Sequence, residues 1–178
     1  MKKMLLLVGM LAVSGLAFAG NSSGLNADED KIEVKARVIA PLNLEVTKNI
    51  DFGTLIKGDT QVKSANGEFE VTGEAGEVVA IYVGSDDKSY SQVKHHEESY
   101  AVDLKKVGGE EDEKITANLN LNPKDGRFNQ TNGSVTLIGE SGKEATQAFE
   151  VWGVIASVDK DIAVGEYKGY LHVKAQYE

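Results

Sequence analysis

The residues with the most obvious capacity for chemistry are two adjacent histidines followed by two glutamates, His95-His96-Glu97-Glu98. Imidazole and carboxylate groups bind metals, but a zinc site needs three or four such ligands that converge on one point. Adjacent residues of an extended chain point in opposite directions, so this run can supply only part of such a site. His172 is the single further histidine. We therefore predict a solvated loop here and no metal site.

Other sequence signatures of catalysis are also missing. The acidic run Glu110–Glu113 lacks the spaced Asp/Asn pattern and the turn glycine of a calcium loop. The chain has no Gly-x-Ser-x-Gly or His-Glu-x-x-His motif and no phosphate-binding glycine loop. It has no cysteine, which excludes thiol chemistry and disulfides. We predict that the protein is not an enzyme and carries no cofactor.

The elements that would position any site are strands. Apolar and polar residues alternate with period two along many short segments, such as Lys31–Val38 and Ile115–Leu121. Two segments, Val78–Val83 and Ala148–Val158, are apolar on both faces and are predicted to be central strands. Nineteen glycines against two prolines suit tight turns, and no segment has helical periodicity. About nine strands predict an all-β fold, an immunoglobulin-like β-sandwich without significant helix.

The first 19 residues are predicted to be a secretory signal peptide. Lys2 and Lys3 precede an apolar run, and Ala17-Phe18-Ala19 has the form of a cleavage site. We therefore expect export to the periplasm and then to the cell surface. Loss of the two lysines takes the net charge from −9 to −11, and a chain this acidic is not expected to bind nucleic acid.

The two ends of the mature chain carry complementary patterns. Residues 20–40 form an N-terminal arm, whose first part is small and polar and is expected to be disordered. In its second part Ile32, Val34, Ala36 and Val38 share one face, and Pro41 interrupts the pattern. At the other end an alternating strand follows Gly165; one face of it comprises Tyr167, Gly169, Leu171, Val173, Ala175 and Tyr177. This last strand is predicted to leave an edge open for pairing.

These terminal patterns resemble known fimbrial proteins. A glycine fourteenth from the end and an aromatic residue next to last, here Gly165 and Tyr177, resemble the pilins of the chaperone–usher pathway. The run Ile32-x-Val34-x-Ala36-x-Val38 before Pro41 is similar to the start of alpha-class colonisation-factor major subunits. The stretch Phe52–Gly58 is similar to a broad group of exported pilin-like proteins of unassigned function.

The resemblance implies that residues 41–178 form a pilin-type domain that lacks its last strand. A donor strand from another subunit would complete it, with Ile32, Val34, Ala36 and Val38 as the inserted side chains. The acceptor strand would comprise Gly165, Tyr167, Gly169, Leu171, Val173, Ala175 and Tyr177. The implied partners are copies of the chain or related pilins, a periplasmic chaperone, an outer-membrane usher and a host receptor. The implied function is that of a structural subunit of a surface fimbria that supports adhesion.

The sequence leaves open an alternative to strand exchange between subunits. The arm could fill the groove of its own domain, which would give a self-complemented monomer. Such a monomer would serve as an exported adhesin, or as a module that binds carbohydrate or a receptor. The long loops Ser85–Ser99 and Lys105–Lys114 contain just Tyr90 as an aromatic residue, which disfavours a lectin built on loops.

Overall fold

The chain is all-β in the part that the structure describes. This computed structural model describes residues 30–84, 89–94, 98–110, 113–125, 128–129 and 132–178. The predicted signal peptide and residues 20–29 of the predicted arm lie outside the described residues. Within the described ranges no helix is present, so these residues contain no helix that is long and apolar enough to cross a membrane. The predicted absence of significant helix is confirmed for these residues.

The described residues form ten strands. They are β1 (Asn43–Lys48), β2 (Lys63–Glu74), β3 (Val78–Gly84), β4 (Tyr90–Gln92), β5 (Ser99–Lys106), β6 (Lys114–Pro123), β7 (Ser134–Thr136), β8 (Glu144–Ile155), β9 (Tyr167–Lys168) and β10 (His172–Tyr177). Six of them form one sheet, here called sheet A, in the order β1-β2-β8-β6-β5-β9. The other four form sheet B, in which β3 lies between β10 and β4 and also pairs with β7. All pairs are antiparallel.

The core consists of the inner faces of the two sheets, as predicted for a sandwich. Every second side chain of β8 is buried, and those of β2 and β6 follow the same pattern. In sheet A, Phe69 and Phe149 are register partners whose rings stack with centroids 4.8 Å apart. Sheet B contributes Val79, Ile81 and Val83 to the same cluster of buried residues. The central position of β3 in sheet B confirms the prediction made from its apolar sequence.

The second predicted central strand differs from expectation in one respect. β8 is central in sheet A, but Trp152 lies on its outer face and is 49% exposed. The strand is therefore amphipathic, because Val151 and Gly153 on either side of the tryptophan face the core. The sequence pattern counted Trp152 as apolar and so predicted burial on both faces, although the tryptophan lies on the exposed face.

The predicted loop Ser85–Ser99 also contains structure that the sequence analysis missed. It includes β4, and Val93 is completely buried. The Val93 N–H donates to the carbonyl oxygen of Ile81 at 2.8 Å. A single apolar residue among polar ones has no period, so its burial depends on the contact with β3. Residues 85–88 and 95–97 of this segment lie outside the described residues.

The chain divides into two units, one that ends at Arg37 and one that comprises Val38–Glu178. The sandwich belongs entirely to the second unit. In the first unit, residues 30–37 belong to no strand, and Ile32 and Val34 are 91% and 88% exposed. The alternation of this segment predicted a strand, but a strand forms only when its backbone groups find a hydrogen-bonding partner.

The predicted C-terminal strand is divided between the two sheets. β9 pairs with β5 in sheet A, whereas β10 pairs with β3 in sheet B. The prediction of one continuous strand after Gly165 is therefore wrong, because residues 169–171 belong to no strand and connect β9 to β10. The crossover needs Gly169, because a Cβ there would lie 2.6 Å from the Asp103 carbonyl oxygen.

Candidate functional site

A large groove opens the core of the sandwich to solvent. Its volume is about 1030 Å³, and it lies between the inner face of sheet A and the C-terminal segment that leads from residue 162 to β10. Its apolar lining includes Val46, Ile50, Phe52, Leu55, Phe69, Val102, Leu104, Ile115, Ala117, Leu119, Val151, Val158, Ile162, Ala163, Val164, Leu171 and Val173. A groove of this composition favours an apolar occupant.

The groove exists because the two sheets differ in width. Sheet A presents the inner side chains of five long or medium strands, whereas sheet B ends at β10 on the side of the groove. Leu104, Leu171 and Val173 pack against the core but remain only half-buried. No strand among the described residues lies beyond β10 to cover them.

Among the described residues, no strand pairs with the outer edge of β10 along this groove. Glu178 N–H donates to the Val78 carbonyl oxygen at 3.1 Å, which identifies one hydrogen-bonded pair in the register between β10 and β3. Hydrogen-bonded and non-hydrogen-bonded pairs alternate along an antiparallel ladder. This alternation directs the backbone groups of Val173, Ala175 and Tyr177 away from β3, toward the open edge. Such an edge is a template for an added strand.

The same three residues direct their side chains toward the core. Val173 and Ala175 are register partners of Val83 and Ile81, which are fully buried. Val173, Ala175 and Tyr177 themselves are only half-buried. The difference follows from position, because β3 has neighbours on both sides and β10 has one. A strand added beyond β10 would complete the burial of these side chains.

Tyr177 also connects β10 to the start of the sandwich. Its hydroxyl accepts a hydrogen bond from Glu74 N–H at 2.8 Å and donates one to the Ala40 carbonyl oxygen at 2.9 Å. Its side chain also packs where a Cβ of Gly73 would be, so β2 needs a glycine at that position. The tyrosine therefore fixes both the last strand and the segment that precedes β1.

The other predicted residues of the C-terminal strand lie on the wall of the groove next to β5. Tyr167 pairs with Lys106 in register and donates from its hydroxyl to the Ala163 carbonyl oxygen at 2.8 Å. At Gly165, the place of a Cβ lies 3.1 Å from the Lys106 side chain, and Glu166 accepts a hydrogen bond from Val107 N–H at 2.8 Å. These contacts attach the wall to sheet A.

Asp103 holds β5 and β6 together on the opposite face of this wall. Its carboxylate accepts hydrogen bonds from Lys114 Nζ at 2.7 Å and from the Thr116 hydroxyl at 2.8 Å. The bond from Lys114, followed by that from Thr116, lowers the pKa of this carboxyl group below its ordinary value. The negative charge is thus favoured by the fold.

The structure brings together most, but not all, of the predicted site residues. Leu171, Val173, Ala175 and Tyr177 lie along the groove or the open edge. Of the predicted donor residues, Ile32, Val34 and Ala36 belong to the first unit and are exposed, and Val38 is 95% exposed at the start of the second. Their roles as donors and acceptors stay predictions.

Sequence reasoning missed the part of the groove that does not belong to the C-terminal strand. Phe52 packs over Gly153 of sheet A, and a Cβ at Gly153 would come within 2.7 Å of its ring. Ile162 lines the opposite wall. The sequence did contain a signal for Phe52, because this aromatic residue directly precedes Gly53, a turn glycine whose φ is +67°.

Only Glu98 of the histidine run His95–Glu98 lies among the described residues. Residues 95–97 lie outside the described residues, while Glu98 accepts hydrogen bonds from the Tyr100 hydroxyl at 2.6 Å and from Lys94 N–H at 3.1 Å. Burial, together with the hydrogen bond to Glu98, raises the pKa of the Tyr100 hydroxyl. Within the described ranges, no three His, Asp or Glu side chains are grouped so that they could hold a metal ion.

Comparison with known proteins adds no relative to this description. The chain matches no model of a protein family, and no curated protein is significantly similar to it.

Proposed function

We propose that this protein is the structural subunit of a bacterial surface fimbria, which polymerises when the N-terminal arm of one subunit completes the sandwich of the next. The observation that carries the proposal is the apolar groove beside the unpaired edge of β10. A groove that opens the core of a sandwich next to a free strand edge is the acceptor that β-strand addition requires.

The arm has the composition of a donor. Ile32, Val34 and Val38 are apolar, alternate with charged residues, and are exposed in the described chain. Burial of each is worth about 1.5–3 kcal/mol, and Ala36 adds less. On a strand, residues two apart lie on one face, so all four side chains can enter a groove while the charged ones stay in water.

The edge of β10 supplies the second part of the binding free energy. The outward N–H and C=O groups of Val173, Ala175 and Tyr177 can each pair with a donor backbone. Each such bond has a net value of about 1 kcal/mol. Backbone bonds hold the strand without regard to sequence, whereas the groove selects the apolar side chains. Together the two terms support a filament without covalent links.

This function implies the partners and the route already expected from the resemblance. An open groove on a single subunit exposes core side chains, so a periplasmic chaperone would cover it and an outer-membrane usher would catalyse the exchange. The subunit would pass through the periplasm and function at the cell surface in adhesion, with a host receptor as a further partner.

The test is the presence of multimers that survive SDS without heating. We expect a ladder of multimers from the exported wild-type chain, which collapses to the monomer on boiling. A variant with Ile32→Asp and Val34→Asp should give monomer alone, because a carboxylate cannot enter an apolar groove without a large desolvation cost. Glu33→Gln with Lys35→Gln is the matched control, since it changes the outer face of the same segment and should keep the ladder.

The results separate exchange from self-insertion. If the wild-type chain runs only as a monomer, the proposal of a filament is wrong. An unchanged ladder from the Asp variant would show that residues 32 and 34 are not the donor.

A further inference from the structure

The outer face of sheet A carries an exposed tryptophan that the core does not need. Trp152 is the single tryptophan of the chain and lies on β8, an interior strand of the sheet. Half of its surface is exposed, although Val151 and Gly153 on either side are buried. An indole in the middle of a sheet is held on a rigid backbone, unlike an aromatic residue at the tip of a loop.

Asparagine amides flank this tryptophan in the register of the sheet. Asn66 on β2 and Asn120 on β6 are both direct cross-strand partners of Trp152. In the next row, Val154 lies between Ser64 and Asn118. With neighbouring strands about 4.8 Å apart, the row from Asn66 to Asn120 spans roughly 10 Å. These residues form a flat surface, here called the tryptophan face.

The amides are held in defined positions. Asn66 donates from Nδ2 to Glu150 Oε1 at 2.7 Å, and its Oδ1 accepts from Lys48 Nζ at 2.7 Å. Asn120 donates from Nδ2 to the Glu98 carbonyl oxygen at 3.0 Å. A primary amide has two donor and two acceptor positions, so Asn66, with one bond at each end, can still bond to a ligand.

The choice of asparagine is unfavourable for the strands themselves. Asparagine is depleted in β-strands, where threonine and other β-branched residues fit better. Nevertheless β6 has asparagine at three alternate outward positions, Asn118, Asn120 and Asn122. Positions at which local strand preference is overridden are the ones at which function is expected.

We infer that the tryptophan face is a binding site for a neutral saccharide of about two sugar units. A pyranose ring has a face of C–H groups, which stacks on an aromatic ring, and a rim of hydroxyl groups, which pair with amides. The span of roughly 10 Å suits a disaccharide lying across the three strands. No loop is needed, so this site differs from the loop-based lectin that the sequence disfavours.

Charge favours a neutral ligand over an acidic one. The residues of the tryptophan face are uncharged, in a chain whose net charge is −9. Asn66, at the border of this face, bonds both to a carboxylate, that of Glu150, and to an ammonium group, that of Lys48. An acidic sugar would be repelled by the net negative charge of the chain as a whole.

The single tryptophan makes binding directly observable. We would titrate the mature protein with lactose, maltose, cellobiose and chitobiose at millimolar concentration and record tryptophan emission. At least one of these should shift the emission to shorter wavelength, because stacking removes water from the indole. Sialyllactose should bind more weakly than lactose. If none of the four neutral disaccharides changes the emission, or if sialyllactose binds better than lactose, the proposal is wrong.

Variants then locate the site. Asn66→Ala and Asn118→Ala should each weaken binding about five- to tenfold, the value of one or two hydrogen bonds. On a glycan array, Trp152→Ala should abolish the signal. Tyr170→Ala is the matched control, because Tyr170 is an aromatic residue outside sheet A that is 64% exposed. Its array signal should equal that of the wild type.

The multimer ladder separates this proposal from the filament. Trp152→Ala should leave the ladder unchanged, since the groove lies on the inner face of the sheet. If this variant loses the ladder and keeps any glycan signal, the tryptophan face is a contact between subunits instead.

Discussion

The hydroxyl group of Tyr177 donates a hydrogen bond to the carbonyl oxygen of Ala40 at 2.9 Å, across 137 residues of chain. The hydroxyl oxygen of Tyr177 also accepts a hydrogen bond from Glu74 N–H, so one side chain joins the last strand, β2 and the segment before β1. This contact fixes the position of β10 although its outer edge is unpaired. An acceptor edge must be held in place before any strand can be added to it.

Replacement of Tyr177 by phenylalanine should therefore destabilise the sandwich. The variant keeps the ring but leaves the Ala40 carbonyl oxygen and Glu74 N–H without this partner, at a cost of about 1–3 kcal/mol. Thermal unfolding would measure it as a decrease of several degrees in Tm. Tyr170→Phe is the control and should change stability by less than about 0.5 kcal/mol. Equal Tm values for the two variants would contradict the role of the hydroxyl group.

Gly169→Ala should destabilise the crossover between the two sheets. A Cβ at this position would lie 2.6 Å from the backbone oxygen of Asp103, so β5 or the crossover must move. We expect a loss of about 1–3 kcal/mol in urea unfolding. Gly165→Ala is the matched control, because its Cβ would meet the end of the flexible Lys106 side chain at 3.1 Å. A loss at residue 165 as large as that at 169 would contradict the explanation.

A peptide with the sequence of residues 30–41 should stabilise a chain that begins at Val38. Such a chain retains the groove and the Ala40 contact but lacks Ile32, Val34 and Ala36. A ligand that binds the folded state at one hundred times its Kd adds about 2.7 kcal/mol, which differential scanning fluorimetry detects as a higher Tm. A peptide with aspartate at positions 32 and 34 should have no effect. Stabilisation by both peptides would show that the apolar side chains are not recognised.

Asp103 should make the stability depend on acid pH. Its pKa is lowered in the folded state by Lys114 and then by Thr116, so the folded state binds this proton less readily than the unfolded chain does. Its contribution is therefore present above the ordinary pKa of an aspartate and is lost as the pH falls through the lowered value. Asp103→Asn should reduce the difference in Tm between neutral and acid pH.

The partner variant tests the cause of that pH dependence. Lys114→Met removes the larger of the two interactions, so it should also flatten the acid part of the profile. Because both variants remove one shared contact, their effects should be less than additive in the double variant. Full additivity would show that the two residues act independently.

The sequence by itself determined the class of the fold and the faces of its strands. Alternation along β6 and the region of β10 predicted which side chains face the core, and the apolar run at Val78–Val83 predicted the centre of sheet B. These features depend on the period of an extended chain, which is local. The site residues from Leu171 to Tyr177 were accessible to the same reasoning.

Only the tertiary structure decided which strands pair and where pairing stops. It divided the residues after Gly165 between two sheets, buried Val93, exposed Trp152, and brought Phe52 and Ile162 to one groove. The reason is that hydrogen-bond partners and the relative width of two sheets involve residues far apart in the chain. Alternation with period two indicates that a segment can form a strand. The strands that lie beside it in the fold determine whether the strand forms and which of its edges remains unpaired.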